Sequence, residues 1–260
     1  MHYSIAPARN SDRKNMAESQ PLDEFQLIRR FFDRPSSDRS VCTGIGDDGA
    51  VMTPEPGLDL VSVVDTLIEG VHFPGRMAPA DIGYRAVAVN LSDIAAMGAR
   101  PRWMTLALTL DYVDENWLKE FAGGLFEAAD AFGVSLVGGD TTRGGQKLMS
   151  IQITGDVAAG KSIGRSGASP GDLLFVSGTV GDAVAGLSLI NDDDASTENK
   201  RFLRKRFCRP SARVELGQAL AGIASAAIDI SDGLFADTER LLLASDTAGV
   251  IDIDSIPLSA

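Results

Sequence analysis

Cysteine is scarce in this chain, positive charge is in deficit, and no stretch is apolar enough to enter a bilayer. The two cysteines, Cys42 and Cys208, form neither a metal-type spacing nor a disulfide framework, so a reducing, cytoplasmic setting is expected. No apolar run approaches the ~20 residues that a membrane span needs, and no charged, apolar and small-residue leader opens the chain. With 24 Lys and Arg against 36 Asp and Glu, the formal net charge is −12. Nucleic-acid binding needs clustered cations to displace phosphate counterions, so that class is excluded. An acidic protein can still hold anionic substrates where metal ions reverse the local sign, which makes the distribution of the acids the informative variable.

At 260 residues the chain has room for two ordinary domains. Residues 1–20 are polar and read as a disordered extension, within which Met16 opens a segment resembling a natural start. From Asp23 onwards periodicity sets in. Phe25, Leu27, Ile28, Phe31 and Phe32 recur at helical spacing and stop before Pro35. Leu58–Val64 and Trp103–Leu110 read as strands, with shorter ones at Val134–Val137 and Leu148–Ile153. Asp81 is expected to cap a helix striped by Tyr84, Val87, Leu91 and Ile94, and Asp114 a second one running to Gly133. Residues 159–171 carry four glycines and a proline and read as a hinge. Beyond it the pattern predicts a strand at Asp172–Ser177, a helix from about 181, a charged loop at 191–200, and a helix from Ser211. A strand at Ala227–Ile230 and a helix after Gly233 complete the reading. The class is mixed α/β, divided into 21–158 and 159–260.

Two short motifs match familiar patterns and fail in context. Gly155-Asp-Val-Ala-Ala-Gly160-Lys161-Ser162 has the letters of a P-loop, which requires a helix to start directly after it. Gly164, Gly167, Pro170 and Gly171 follow instead. Each interior glycine costs a helix about 1 kcal/mol and proline about 3 kcal/mol, so Lys161 is assigned to a surface turn. Gly44-Ile-Gly46-Asp-Asp-Gly49 fits the dinucleotide fingerprint, with Asp65 near the expected downstream acid. Asp47 and Asp48 would meet the pyrophosphate with negative charge, and Pro54 and Pro56 block the crossover helix.

The aspartates carry the stronger signal. Asp48 follows a glycine turn, Asp65 follows an apolar strand, and Asp140 closes Val-Gly-Gly-Asp after another. Asp93 lies three residues after Asn90 on one helix face, and Asp229 and Asp232 flank Ser231. Aspartates after strands are commonly turn formers or caps, and Asp114 and the run Asp192–Asp194 are read that way. Asp93 is not, because a charge beside an apolar helical stripe needs a partner. Carboxylates converging on one place repel unless cations neutralise them. Mg2+ takes such hard oxygen ligands and keeps phosphate oxygens in its shell.

Six motifs in order resemble the thiamine-monophosphate kinase family: Gly-Ile-Gly-Asp-Asp-Gly-Ala-Val (44–51), Val-Asp-Thr-Leu (64–67), Gly-Val-His-Phe (70–73), Ala-Val-Asn-Leu-Ser-Asp-Ile-Ala-Ala-Met-Gly-Ala-Arg-Pro (88–101), Gly-Gly-Asp-Thr-Thr-Arg (138–143) and Ile-Asp-Ile-Ser-Asp-Gly-Leu (228–234). That family shares a superfamily with aminoimidazole ribonucleotide synthetase, selenophosphate synthetase and a hydrogenase maturation factor. The resemblance implies ATP-dependent phosphorylation of thiamine phosphate by a two-domain fold, dimeric through sheets of the N-terminal domain. By motif match it implies several Mg2+ ions on Asp48, Asp65, Asp93, Asp140, Asp229 and Asp232, and ATP contacts from Gly139, Asp140, Arg165 and Ser231. His72 would lie in the thiamine phosphate site. Where the family has Ser or Thr, Val64 stands here, so only its backbone carbonyl could serve a metal. The resemblance also implies a Gly-Gly-Glu-Asp-Tyr-Glu segment beyond Ala260. The rival readings are another ATP-dependent enzyme of the superfamily and a non-catalytic nucleotide-binding module.

Overall fold

The computed structural model describes residues 22–192 and 197–259; the predicted N-terminal extension and Asp193 and Asp194 lie outside them. Helix α1 (Glu24–Phe31) starts at Asp23, whose side chain accepts from the Gln26 amide while Gln26 returns a bond to the Asp23 amide, a reciprocal capping box. Two short strands follow, β1 (Val41–Thr43) and β2 (Val51–Met52), paired antiparallel. The main sheet comprises β3 (Leu58–Ile68), β4 (Arg100–Leu110), β5 (Ser135–Arg143) and β6 (Leu148–Ala158), in the order β3-β6-β4-β5. Only β4 and β5 run parallel, and α3 (Glu115–Ala131) makes their crossover. Helix α2 (Pro79–Ala96) joins β3 to β4.

Both long helices pack on one face of the sheet and bury the core. Val87, Leu91 and Ile94 of α2, Leu118, Phe121 and Leu125 of α3, and Met104, Met149, Ile151 and Ile153 of the strands are almost fully enclosed. The helices approach closely because glycine faces backbone at each crossing. A Cβ on Gly83 would stand 2.1 Å from the Phe121 carbonyl oxygen, and one on Gly124 would stand 1.8 Å from that of Ala80. The opposite face of the sheet is left open. There Leu60 and Val64 on the edge strand β3 are 53% and 64% exposed, beside Thr66, which is hydrogen-bonded to Ser150 across β6.

Among its described residues, the second half carries four α-helices, of which the second and third pack on α2. They are α4 (Asp182–Ser188), α5 (Glu198–Cys208), α6 (Val214–Leu220) and α7 (Leu234–Ala244). Phe207 and Val214 enter the main core, and Gly217 lies against the Ala95 carbonyl.

Several sequence expectations are corrected. α2 begins at Pro79 after Ala78, so Asp81 is a first-turn acid rather than the cap, and it is engaged instead by Arg209. Asp114 does cap α3, accepting from the amides of Asn116 and Trp117. β3 runs four residues past Val64 because its pairing with β6 continues to Ile68 and Leu148, and β5 runs through Gly138 and Gly139 to Arg143. Asp65 and Asp140 therefore lie within strands. The charged stretch read as a loop becomes α5 from residue 198, capped by Thr197. The segments at 172–177 and 227–230 are not strands: among the described residues no ladder of backbone bonds pairs them with a neighbour, and the Ala227 amide makes a single bond, to the Gly164 carbonyl at 2.9 Å. The glycine-rich hinge is docked rather than loose: the Ile163 amide donates to the Met97 carbonyl and its side chain is buried. Lys161 is exposed and no helix follows it. Among the described residues, no helix is long and apolar enough to cross a membrane.

Candidate functional site

Alternation along β3 turns Val61, Val63, Asp65 and Leu67 toward the helices, and Asp65 is the charge among these four. Facing it, the C-terminal half of α2 presents Ser92 and Asp93. Asp229 arrives on the extended segment before α7. Asp65, Asp93 and Asp229 stand close enough for their carboxyls to act on one another, and Ser92 stands beside Asp229.

Such a trio titrates abnormally. Burial first, then the charges of Asp229 and Asp65, push the Asp93 carboxyl up to about 7. Burial likewise raises Asp65 and Asp229, the latter aided by Asp237 and Asp65. The positive charge of Arg165 opposes these shifts at Asp93 and Asp229, and His72 opposes the shift at Asp65. Three half-buried carboxylates with one exposed arginine and one imidazole are short of positive charge. The donor set is all hard oxygen, which suits Mg2+. Among the described residues, no three acidic, His or Cys side chains close into a metal-binding group by themselves.

The remaining candidates lie outside this trio. Asp48 is exposed on the loop between β1 and β2, where its amide donates to Asp47 at 2.9 Å. The segment leading into β1 is anchored to the main sheet. Arg102 makes a bidentate ion pair with Asp38 at 3.0 Å and also pairs with the buried Asp156 at 2.7 Å. Burial would raise Asp38, but its bonds from Arg102 and Ser40 hold it at about 2. Asp140 is in register with Ala107, one step beyond the row of Gly139, Leu106, Ile151 and Asp65. Strand alternation assigns it to the open face of the sheet, where Val64 also points. Gly139 cannot be replaced without strain: its φ is +155° and a Cβ would lie 1.9 Å from the Leu106 carbonyl oxygen. His72 is exposed, and its Nδ1 accepts from the Ile68 amide at 3.1 Å, which leaves Nε2 outward. Ser231 and Asp232 are exposed, and Asp232 pairs with Arg240 at 2.6 Å.

Sequence reading missed Asp237. It is 1% exposed, in the first turn of α7, and its Oδ2 accepts from the amides of Ser231, Asp232 and Gly233 at 2.9, 3.0 and 3.1 Å. Its Oδ1 takes Arg240 at 2.6 Å. One carboxylate thus shapes the loop that carries Ser231 and Asp232. An acid three residues inside a helix that follows glycine was the available signal, but its spacing equally fits an ordinary first-turn charge. Ser92, adjacent to Asp93, was also overlooked.

Comparison with known proteins adds four findings. Residues 46–157 match the family model for AIR synthase related protein, N-terminal domain. Thiamine-monophosphate kinase of Salmonella typhimurium is 47% identical over 239 residues, covering 91% of this chain and 73% of that protein. Among solved structures, thiamine-monophosphate kinase from Stenotrophomonas maltophilia superposes with a TM-score of 0.80 at 43% identity, over 86% of this chain and 72% of that one. The crystal structure of AaThiL complexed with AMPPCP and TMP gives 0.71 at 34% identity, over 78% and 65%.

Proposed function

The chain belongs to the thiamine-monophosphate kinase family, and from that premise we propose how its residues serve the reaction, the ATP-dependent phosphorylation of thiamine phosphate to thiamine diphosphate. A relative held with AMPPCP, an analogue of ATP, and TMP supports ATP and thiamine phosphate as the two substrates. The observation that carries the site assignment is the convergence of Asp65, Asp93 and Asp229 under the charge of Arg165.

Thiamine phosphate offers an anionic oxygen at neutral pH, so the transfer needs no strong general base. The difficulty is bringing two polyanions together in line, which is a matter of positioning and charge. Mg2+ supplies the neutralising charge when bound. Asp65, Asp93 and Asp229 would hold it, with Asp48, Asp140, Asp232 and the Val64 carbonyl as further ligands. Arg165 and Ser231 would meet ATP, Gly139 lets its phosphates approach backbone, and His72 Nε2 would meet thiamine phosphate. The transfer is direct, with no phosphoenzyme. The working molecule is a cytoplasmic homodimer formed across the open sheet face and β3, whose exposed Leu60 and Val64 would be covered. Its units are residues 21–158 and 159–260.

The deciding assay is ADP release that depends on thiamine phosphate in the presence of ATP and Mg2+. Asp93→Asn should lose at least about a hundredfold in turnover. Turnover without thiamine phosphate, or an unimpaired variant, would overturn the assignment. A phosphorylated enzyme trapped in single-turnover quench would sink direct transfer.

A further inference from the structure

A single ammonium lies where three strands of the main sheet end. Lys147 immediately precedes β6, Glu69 immediately follows β3, and Asp111 immediately follows β4. The Lys147 Nζ pairs with Asp111 at 3.2 Å and with Glu69 at 3.5 Å. It also stands 5.2 Å from the Tyr112 ring centroid and 5.9 Å from that of Trp117 in α3. Lys147 is 9% exposed, and lysine is almost never so enclosed unless it is paired. A cation taken from water needs partners held in fixed geometry, so this cluster orders the chain around it. Nothing in the phosphoryl transfer as proposed above uses it.

Its position gives it a use. Lys147 holds Glu69 twice: the Glu69 amide donates to the Lys147 carbonyl at 3.0 Å, and the Glu69 carboxylate faces the ammonium. Glu69 is also the first residue of the turn that carries His72. The Gly70 amide closes that turn on the Phe73 carbonyl at 2.8 Å, with Gly70 at φ +79°, and Phe73 is buried. The Glu69 carboxylate packs on the far side of the turn as well, since a Cβ on Gly75 would stand 3.0 Å from its Oε1. Within the turn the His72 amide donates to the Ile68 carbonyl at 2.9 Å, and its Nδ1 accepts from the Ile68 amide. The direction of Nε2 therefore depends on how Glu69 lets the chain leave β3. Without the ammonium, Glu69 and Asp111 would face each other as like charges and drive the turn off the sheet end.

We propose that Lys147 is a positioning residue for thiamine phosphate: through Glu69 it fixes the 69–73 turn so that His72 Nε2 is presented to the substrate. The proposal rests on the assignment of His72 to thiamine phosphate made above. Backbone hydrogen exchange reads the turn directly, because the Ile68 amide is the donor to His72 Nδ1. Lys147→Met should speed exchange at Ile68 at least about tenfold and leave core amides such as Ile151 at the parent rate, and Lys147→Arg should restore protection. Calorimetric titration with thiamine phosphate, with Mg2+ and AMPPCP present, should show Kd raised at least about tenfold by Lys147→Met and restored by Lys147→Arg. Glu69→Gln should reproduce both losses, and it keeps the test open if Lys147→Met fails to fold. Asp111→Asn should reproduce neither, whereas a cluster that only stabilised the fold would respond alike to both carboxylate changes. His72→Ala tests the underlying assignment: parent-like binding in that variant, or none in the parent, would overturn the assignment and the proposal with it. Weakened binding in His72→Ala beside parent-like binding or Ile68 exchange in Lys147→Met and Glu69→Gln would overturn the proposal alone, as would equal losses in Asp111→Asn and Glu69→Gln.

Discussion

Asp93 and Asp237 are buried acids with opposite roles. Asp237 has its charge matched: three amides and a guanidinium surround it. Asp237→Ala should strand those three amides, cost roughly 2–4 kcal/mol, and lower turnover through the misplaced Ser231–Gly233 loop. Chemical denaturation and ADP-release kinetics measure both effects. Asp93 is frustrated, with a carboxyl near 7 against an ordinary 3.8. Its folded pKa is raised, so its stabilising contribution is complete below about pH 4 and is lost as pH climbs to 7. Unfolding midpoints of the metal-free protein should fall over that window and level off above it, and Asp93→Asn should flatten the slope. Addition of Mg2+ at pH 8 should raise the midpoint of the parent and have much less effect on the variant. At this scale the sequence grouped Asp65, Asp93 and Asp229 with three further aspartates by motif, and the fold sets these three within electrostatic reach of one another. The sequence could not separate them from Asp48, Asp140 and Asp232, because burial is not written in a motif.

At the scale of elements, α2 carries the design. Its flank facing β3 presents Ser92 and Asp93, and its close approach to α3 depends on Gly83 and Gly124. Gly124→Ala would drive a Cβ to 1.8 Å from the Ala80 carbonyl oxygen, so the helices must part. We expect a loss of about 3 kcal/mol, read as a lower thermal midpoint, although alanine is the better helix former in isolation. Helices with a clear apolar stripe were legible from the sequence, as were the central strands. α5 was not, because its Glu-Asn-Lys-Arg-Phe-Leu-Arg-Lys-Arg-Phe-Cys run reads as solvated charge until Phe207 and Cys208 are seen to be buried. Strand ends were misjudged for a related reason: pairing with β6 extends β3 across Asp65, a residue of poor strand propensity.

For the whole molecule, the sheet has one face buried by helices and one bare. Val64→Lys would place a charge on the bare face without touching the core, and sedimentation velocity should then show monomer where the parent sedimented as dimer. A parent that is monomeric at micromolar concentration would end the dimer proposal. The sequence by itself determined the chemistry available: an acidic chain and six ordered motifs with aspartates in five of them. It also excluded the P-loop and dinucleotide readings, because glycine and proline forbid the helices those sites require, and Lys161 is indeed followed by none. Tertiary structure alone decided which carboxylates meet and which acid organises the Ser231 loop. Those are properties of distance and burial between segments up to 164 residues apart, as with Asp65 and Asp229, and local pattern carries no record of them.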